Sequence, residues 1–130
     1  MKILTIAIPT YNRGEILKKS IERLLSEIEG LEDKVDILIS DNNSDDNTKK
    51  IIEAFLDNGV DLIYNRNDEN LGMDGNFIYC FENARSKYVW LLGDDDLIKM
   101  NELKYIIGLL ENHEPGLIHL SKIKGIKNMI

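Results

Sequence analysis

Short apolar runs alternate along this chain with longer amphipathic ones, and that alternation constrains its fold more than any other feature. Residues 3–8, 35–39, 61–64 and 88–92 read as strands. Between them fall stretches with helical spacing. Ile16, Leu17, Ile21, Leu24, Leu25 and Ile28 share one stripe, opened by Asn12 and Glu15 at capping-box spacing and stopped by Gly30. A second helix uses Ile51, Ile52, Phe55 and Leu56 and ends at the Asn58-Gly59 turn. A third, from Gly72, turns Phe77, Cys80, Phe81 and Ala84 inward. A fourth, over residues 101–112, uses Leu103, Ile106, Ile107 and Leu110. Pro115-Gly116 breaks it, and residues 117–120 form a candidate fifth strand. Strands alternating with helices point to an α/β, Rossmann-like, mostly parallel sheet with helices on both faces.

In such sheets ligands bind beyond the carboxyl ends of the strands. The chemically loaded residues of this chain sit there. Pro9-Thr10-Tyr11-Asn12-Arg13 follows strand one, and Asp41-Asn42-Asn43-Ser44-Asp45-Asp46 follows strand two. Asn65-Arg66-Asn67 follows strand three, and Asp94-Asp95-Asp96 follows strand four. The segments that enter the strands, such as Arg85-Ser86-Lys87, look like plain solvated turns.

Composition narrows the function classes. At 130 residues the chain is one domain's worth of sequence. Its 16 Lys and Arg against 23 Asp and Glu give a net charge of −7, a poor match for nucleic acid, which calls for clustered basic residues. The lone Cys80 excludes an intramolecular disulfide framework and a cysteine zinc cluster, and fits a reducing, cytoplasmic compartment. No apolar run is long enough for a membrane span. Lys122, Lys124 and Lys127 among isoleucines could touch a membrane face, but a solvated face accounts for them better.

Three consecutive aspartates disfavour one another's ionisation, and a divalent cation removes that penalty. In an extended stretch Asp94 and Asp96 would share a face. Carboxylates together with substrate phosphates are the usual magnesium arrangement, and manganese favours the same oxygen ligands. Capping of the next helix would use one aspartate, Asp96, and leave two over. Asp41 either accepts hydrogen bonds from a sugar or base, or closes an Asx turn. Thr10 and Tyr11 offer a hydroxyl and a stacking ring, whereas Arg13 reads as a solvated residue of the strand-to-helix turn. Cys80 and Trp90 read as core, and His113 and His119 as structural.

Taken together and in order, the four clusters resemble the inverting family-2 glycosyltransferases of GT-A fold. Residues 6–13 are similar to the family's opening strand and nucleotide loop, and residues 41–48 to its Asp-Asp-Gly-Ser-x-Asp-Gly-Thr segment. Asn70-Leu71-Gly72 is similar to its Asn-x-Gly element, and residues 88–96 to the strand ending in its Asp-x-Asp metal motif. The resemblance implies the N-terminal half of a GT-A domain, covering residues 1–130, that binds a nucleotide-diphosphate sugar, often a UDP-sugar. Pro9, Thr10, Tyr11, Asp41, Asn43, Asp94 and Asp95 would contact the nucleotide-sugar. Asp94, Asp95 and Asp96 would hold Mg2+ or Mn2+. The acceptor would be a carbohydrate or lipid-linked hydroxyl, in polysaccharide or cell-surface glycan synthesis.

The chain departs from the family pattern at three places. Gly93 stands where the first metal-motif aspartate is often found, Asn42 replaces the second acidic residue, and Asp74 and Asn76 occupy the stretch where an arginine is usual. No residue is assignable as catalytic base, so the expectation is a domain cut before its acceptor-binding half and inactive alone. The competing class is a signalling module of receiver type, which needs an acidic pair after strand one, where this chain has Thr10-Tyr11-Asn12-Arg13. A non-catalytic interaction domain is the third reading.

Overall fold

The computed structural model describes the backbone of residues 1–121 and 125–129 and the side chains of residues 1–116. Four strands, β1 (Leu4–Thr10), β2 (Val35–Asp41), β3 (Ile63–Arg66) and β4 (Tyr88–Leu91), form one sheet in the order β3-β2-β1-β4. Every pairing in it is parallel. The connecting helices are α1 (Gly14–Ile28), α2 (Thr48–Asp57) and α3 (Gly72–Asn83), and α4 (Glu102–His113) follows β4.

Strand periodicity sorts the core. Leu4, Ile6 and Ile8 of β1 and Val35, Ile37 and Ile39 of β2 face one side, where they pack with Leu17, Ile21 and Leu24 of α1, Ile52 of α2 and Leu103, Ile106 and Ile107 of α4. Ala7 and Leu38 face the other side, where α3 lays Cys80 against them. Burial pushes the Cys80 thiol up to about 11, so it is an inert core group. The central strands β1 and β2 are apolar on both faces because both faces are covered.

Several boundaries and faces differ from the sequence expectation. Ile16 is exposed, because the stripe that meets the sheet is narrower than the run of apolar residues. Phe81 of α3 and Leu56 of α2 are exposed as well. β3 lies two residues later than expected: Leu62 closes a turn onto Val60, and the polar pair Asn65 and Arg66 registers with Ser40 and Asp41. As an edge strand it carries little hydrophobic signal. Trp90 is half-buried on edge strand β4, short of full core burial.

The segment from Leu117 does not extend the parallel sheet. Leu117–Ser121 and Gly125–Met129 pair antiparallel as a separate ladder, β5 and β6. The second of these strands has no apolar run to announce it. Lys122 and Lys124, on which the membrane-face expectation rested, lie outside the described residues, and the side chains of His119 and Lys127 do so too. Among the described residues no helix is long and apolar enough to cross a membrane.

Candidate active site

The loops after the strands meet at one end of the sheet, and polar side chains tie them together. Asn12 sits in the left-handed region (φ 52°). Its backbone N–H donates to Ser44 Oγ at 2.9 Å, and its side-chain oxygen accepts from the Asp45 amide at 2.9 Å. Asn12 therefore clips two loops together and does not cap α1; the expected capping box with Glu15 is absent, and Glu15 instead accepts from Asn47. The capping falls to Asp46. Its carboxylate accepts from the Gly14 amide at 3.0 Å and from the Thr48 amide at 3.0 Å, so one side chain serves the first turns of both α1 and α2. The two helix starts approach so closely that a Cβ on Gly14 would lie 2.5 Å from Asn47 Oδ1 and 3.1 Å from the Thr48 backbone nitrogen.

Asp41 is completely buried. One carboxylate oxygen accepts from the Ser44 amide at 2.9 Å, closing the Asx-type turn, and the other accepts from Tyr64 Oη at 2.9 Å, with Arg66 Nε at 3.8 Å. Burial and the Asp41 partner push the Tyr64 phenol up, so it stays a donor. Asn43 occupies the left-handed region (φ 65°) at the place where the family pattern carries glycine, a conformation asparagine tolerates better than most residues.

A network of asparagines fixes the loop between β3 and α3. Asn42 Oδ1 accepts from the Leu71 amide at 2.9 Å and from Asn67 Nδ2 at 3.0 Å, while its own amide donates to Asn70 Oδ1 at 2.9 Å and to the Gly72 carbonyl at 3.1 Å. Two of these partners are backbone groups, so the position needs a side chain that both accepts and donates. Aspartate, the family's usual residue there, cannot donate. Asn76, in the stretch where an arginine is usual, donates to the Ser40 carbonyl at 3.0 Å and accepts from Ser40 Oγ at 2.6 Å. No buried side-chain polar atom is left unpaired among the described residues.

Asp94 faces inward from the loop after β4. Its carboxylate accepts from Thr10 Oγ1 at 2.9 Å and from Arg13 Nη1 at 3.2 Å, and Ser20 of α1 pins its backbone carbonyl at 2.7 Å. Burial pushes the Asp94 carboxyl up; the Thr10 hydroxyl and the Arg13 guanidinium hold it back, and the neighbouring Asp95 charge adds to the rise. Arg13 Nη1 also lies 3.5 Å from Asp95 Oδ2. Arg13 is exposed, as its place in the sequence suggested, but its guanidinium also bridges two carboxylates. Residues 93–96 form a turn, closed by the Asp96 amide on the Gly93 carbonyl at 3.1 Å, so Asp94 and Asp96 do not line one face of an extended segment. Asp95 and Asp96 are exposed.

These groups surround a cleft of about 470 Å³. Pro9, Thr10, Tyr11 and Arg13 form one wall, the Asn70–Met73 loop with Asn42, Asn76 and Phe77 the opposite one, and Gly93 and Asp94 the end. Of the residues singled out from sequence, Pro9, Thr10, Tyr11 and Asp94 line it. Asp41 lies beneath it, and Asn43, Asp95 and Asp96 are not part of its walls. Arg13, Asn70 and Asn76 were not picked out as site residues. For Arg13 the available signal was the unneutralised acidic run it had to face. A second hollow of about 310 Å³ beside β4, between Phe81, Trp90 and Leu110, is lined without carboxylate, imidazole or amine.

Asp94 at the cleft and the neighbouring Asp95 and Asp96 are the carboxylates a divalent cation would call on. A positively charged group, the Arg13 guanidinium, already stands between the Asp94 and Asp95 oxygens. The space a Cβ would fill on Gly93 is taken by carboxylate, with Asp96 Oδ2 at 2.7 Å and Asp95 Oδ1 at 3.2 Å from that point. Among the described residues no three histidine, cysteine or carboxylate groups form a complete cage. One or two carboxylates suffice when phosphates supply the remaining oxygens.

The model of glycosyl transferase family 2 matches residues 5–128. The chain belongs to that family. Its relatives include the abequosyltransferase RfbV of Salmonella typhimurium, 36% identical over 114 residues that span 85% of this chain and 33% of RfbV. The fold matches that of S. aureus TarS in complex with UDP-GlcNAc (TM-score 0.71, 19% identity, 98% of this chain and 37% of TarS). It also matches the mannosyltransferase PcManGT of Pyrobaculum calidifontis in complex with GDP-Man and Mn2+ (TM-score 0.74, 19% identity, 87% of this chain and 33% of PcManGT). The chain thus spans about a third of the length of these proteins. These matches do not favour the receiver-type alternative. The fold expected of a GT-A domain's first part is the one found.

Proposed function

We propose that residues 1–130 are the donor-binding part of a glycosyltransferase that moves a sugar from a nucleotide-diphosphate sugar to an acceptor hydroxyl in surface-glycan or polysaccharide synthesis. The observation that supports this reading most directly is the cleft between Tyr11 and the Asn70–Met73 loop with the Asp94 carboxylate at its end. The nucleotide base stacks on the Tyr11 ring, which is partly exposed. Asp94 and Asp95 hold Mg2+ or Mn2+, with Asp96 adjacent. The bound ion supplies Lewis-acid stabilisation of the departing diphosphate. Thr10 orients the Asp94 carboxylate by its hydroxyl hydrogen bond, and Ser20 fixes the Asp94 backbone.

Asp41 acts in this scheme from below. With both oxygens engaged it shapes the turn that presents Asn43, and its reach to a nucleotide requires Tyr64 or Ser44 to yield. The complexes of TarS with UDP-GlcNAc and of PcManGT with GDP-Man and Mn2+ support a nucleotide-sugar and a divalent ion as the ligand pair. A UDP-sugar is the donor tested first. The acceptor in this reading is a carbohydrate or lipid-linked hydroxyl, and none of residues 1–116 is assigned as the base that deprotonates it. The experiment is isothermal titration with UDP in Mn2+ and in EDTA. Metal-dependent binding is expected, together with no sugar transfer by the 130-residue form. Absence of binding in both conditions overturns the proposal.

A further inference from the structure

We propose that Arg13 is a resident counter-ion, exchanged for the divalent metal when the nucleotide diphosphate arrives, so that the ion loads with the nucleotide and not before it. The inference rests on the donor-binding reading above. Arg13 Nη1 bridges Asp94 Oδ1 at 3.2 Å and Asp95 Oδ2 at 3.5 Å, two oxygens on adjacent residues that no other cation approaches among the described residues. Without a cation the pair would repel, and Asp94, buried and held in place by Thr10 and Ser20, could not turn away. The guanidinium relieves that repulsion in the free protein.

A metal ion and a guanidinium cannot both occupy that point, since like charges a few ångströms apart in a partly dry cleft repel strongly. A metal ion arriving alone must therefore displace Arg13 into water and lose the pairing it had. An ion arriving with a diphosphate brings negative oxygens that both complete its coordination and receive the displaced guanidinium, which is planar, half-exposed and on the cleft wall. Arg13 is able to swing because among the described residues its side chain holds no partner besides Asp94 and Asp95, and it stands at the start of α1 with no side-chain cap bond. The result is positive coupling between ion and nucleotide, and by linkage each raises the other's affinity by the same factor.

The test is Mn2+ titration followed by electron paramagnetic resonance of free Mn2+, with and without saturating UDP, on the wild-type chain and on Arg13→Gln and Arg13→Lys. Thermal melts confirm that each is folded. The expected result is that Arg13→Gln binds Mn2+ alone roughly tenfold more tightly than wild type, and that the gain given by UDP shrinks correspondingly. Arg13→Lys, which keeps the charge, stays within about twofold of wild type for Mn2+ alone. If Arg13→Gln binds Mn2+ alone no more tightly than wild type, or if the lysine variant gains as much as the glutamine one, the exchange is overturned. The two failures are told apart. Wild-type protein that binds UDP with Mn2+, while Arg13→Gln shows no gain for Mn2+ alone, keeps the donor-binding reading and rejects the exchange. Wild-type protein that binds no UDP overturns the donor-binding reading, and the nucleotide-coupled exchange falls with it whatever Arg13→Gln does to Mn2+ alone.

Discussion

Asn42 donates to Asn70 Oδ1 at 2.9 Å, and through that bond the end of β2 holds the loop that forms the far wall of the cleft. The same Asn42 amide reaches the Gly72 carbonyl at 3.1 Å. Replacing it by the family's aspartate places a carboxylate oxygen against two acceptors in a buried position. Asn42→Asp is expected to destabilise the protein by about 1–3 kcal/mol, the cost of buried polar groups left facing like partners. Urea unfolding of the two proteins measures it. If the loop wall matters to the ligand, UDP affinity in Mn2+ falls in the same variant, while a stability loss smaller than about 0.5 kcal/mol would mean that the network tolerates an acceptor-only residue there.

Asp46 makes a pH-dependent contribution with a determinable sign. Burial raises its carboxyl, but hydrogen bonds from the Thr48 hydroxyl and the Gly14 and Thr48 amides outweigh that and hold it below its ordinary 3.8. A carboxyl depressed in the folded state stabilises the fold above its unfolded value and loses that contribution as pH falls through the folded one. Asp46→Ala is therefore expected to lower stability by about 1 kcal/mol at pH 7, the usual cost of losing a helix cap. The gap from wild type should narrow as pH falls below 3.8. Melting temperatures of both proteins across that range read it. A gap that stays constant with pH would show that the carboxylate's charge is not what caps the helices.

How far the sequence discloses such arrangements depends on whether the residues answer to periodicity or to partners. The strands β1 and β2 and the inward stripe of α1 were legible because Ile6, Ile8, Ile37, Ile39, Leu17, Ile21 and Leu24 are apolar at the right spacing and buried for that reason. The position of the chemistry was legible too, since parallel topology puts post-strand loops at one end of the sheet. The pairing of Arg13 was not legible because its partners lie 81 and 82 positions away, at Asp94 and Asp95, and no local pattern marks so distant a contact. Asn12 was misread for a related reason: its spacing to Glu15 imitates a capping box, but the competing tertiary bonds to Ser44, Asp45 and Asp46 won. Asn42 read only as a departure from the family's acidic pair, and the backbone partners at Leu71 and Gly72 give the substitution a structural role. The β5–β6 ladder escaped because Gly125–Met129 alternates too few apolar residues to read as a strand.

Ser20 shows how α1 reaches the cleft. Its hydroxyl donates to the Asp94 carbonyl at 2.7 Å from a buried position. Ser20→Ala leaves that carbonyl unpaired, at an expected cost of about 1–3 kcal/mol. Because Asp94 then loses a tether, metal-dependent UDP affinity should fall as well, although Ser20 does not itself line the cleft. Calorimetry on the folded variant separates the two effects. A destabilised protein with unchanged UDP affinity would show that Thr10 and Arg13 hold the Asp94 carboxylate in place without the Ser20 tether.

The two exposed aspartates give the sharpest division of roles. Asp95 shares Arg13 with Asp94, its Oδ2 at 3.5 Å from the guanidinium, and so already faces the point where positive charge is held. Asp96 folds back over Gly93, is exposed like Asp95, and has no contact with Arg13 among the described residues. Neither supports the core, so Asp95→Ala and Asp96→Ala should each change stability by no more than about 0.5 kcal/mol. Their effects on Mn2+-dependent UDP binding should differ. Loss of a direct ligand at Asp95 is expected to weaken it by roughly tenfold or more, while Asp96→Ala, which removes a neighbouring charge that salt partly screens, should weaken it by only about two- to threefold, less at high ionic strength. Unchanged affinity in both variants would move the metal away from this turn. The opposite ranking would make Asp96 the ligand and require the 93–96 turn to open when the ion binds.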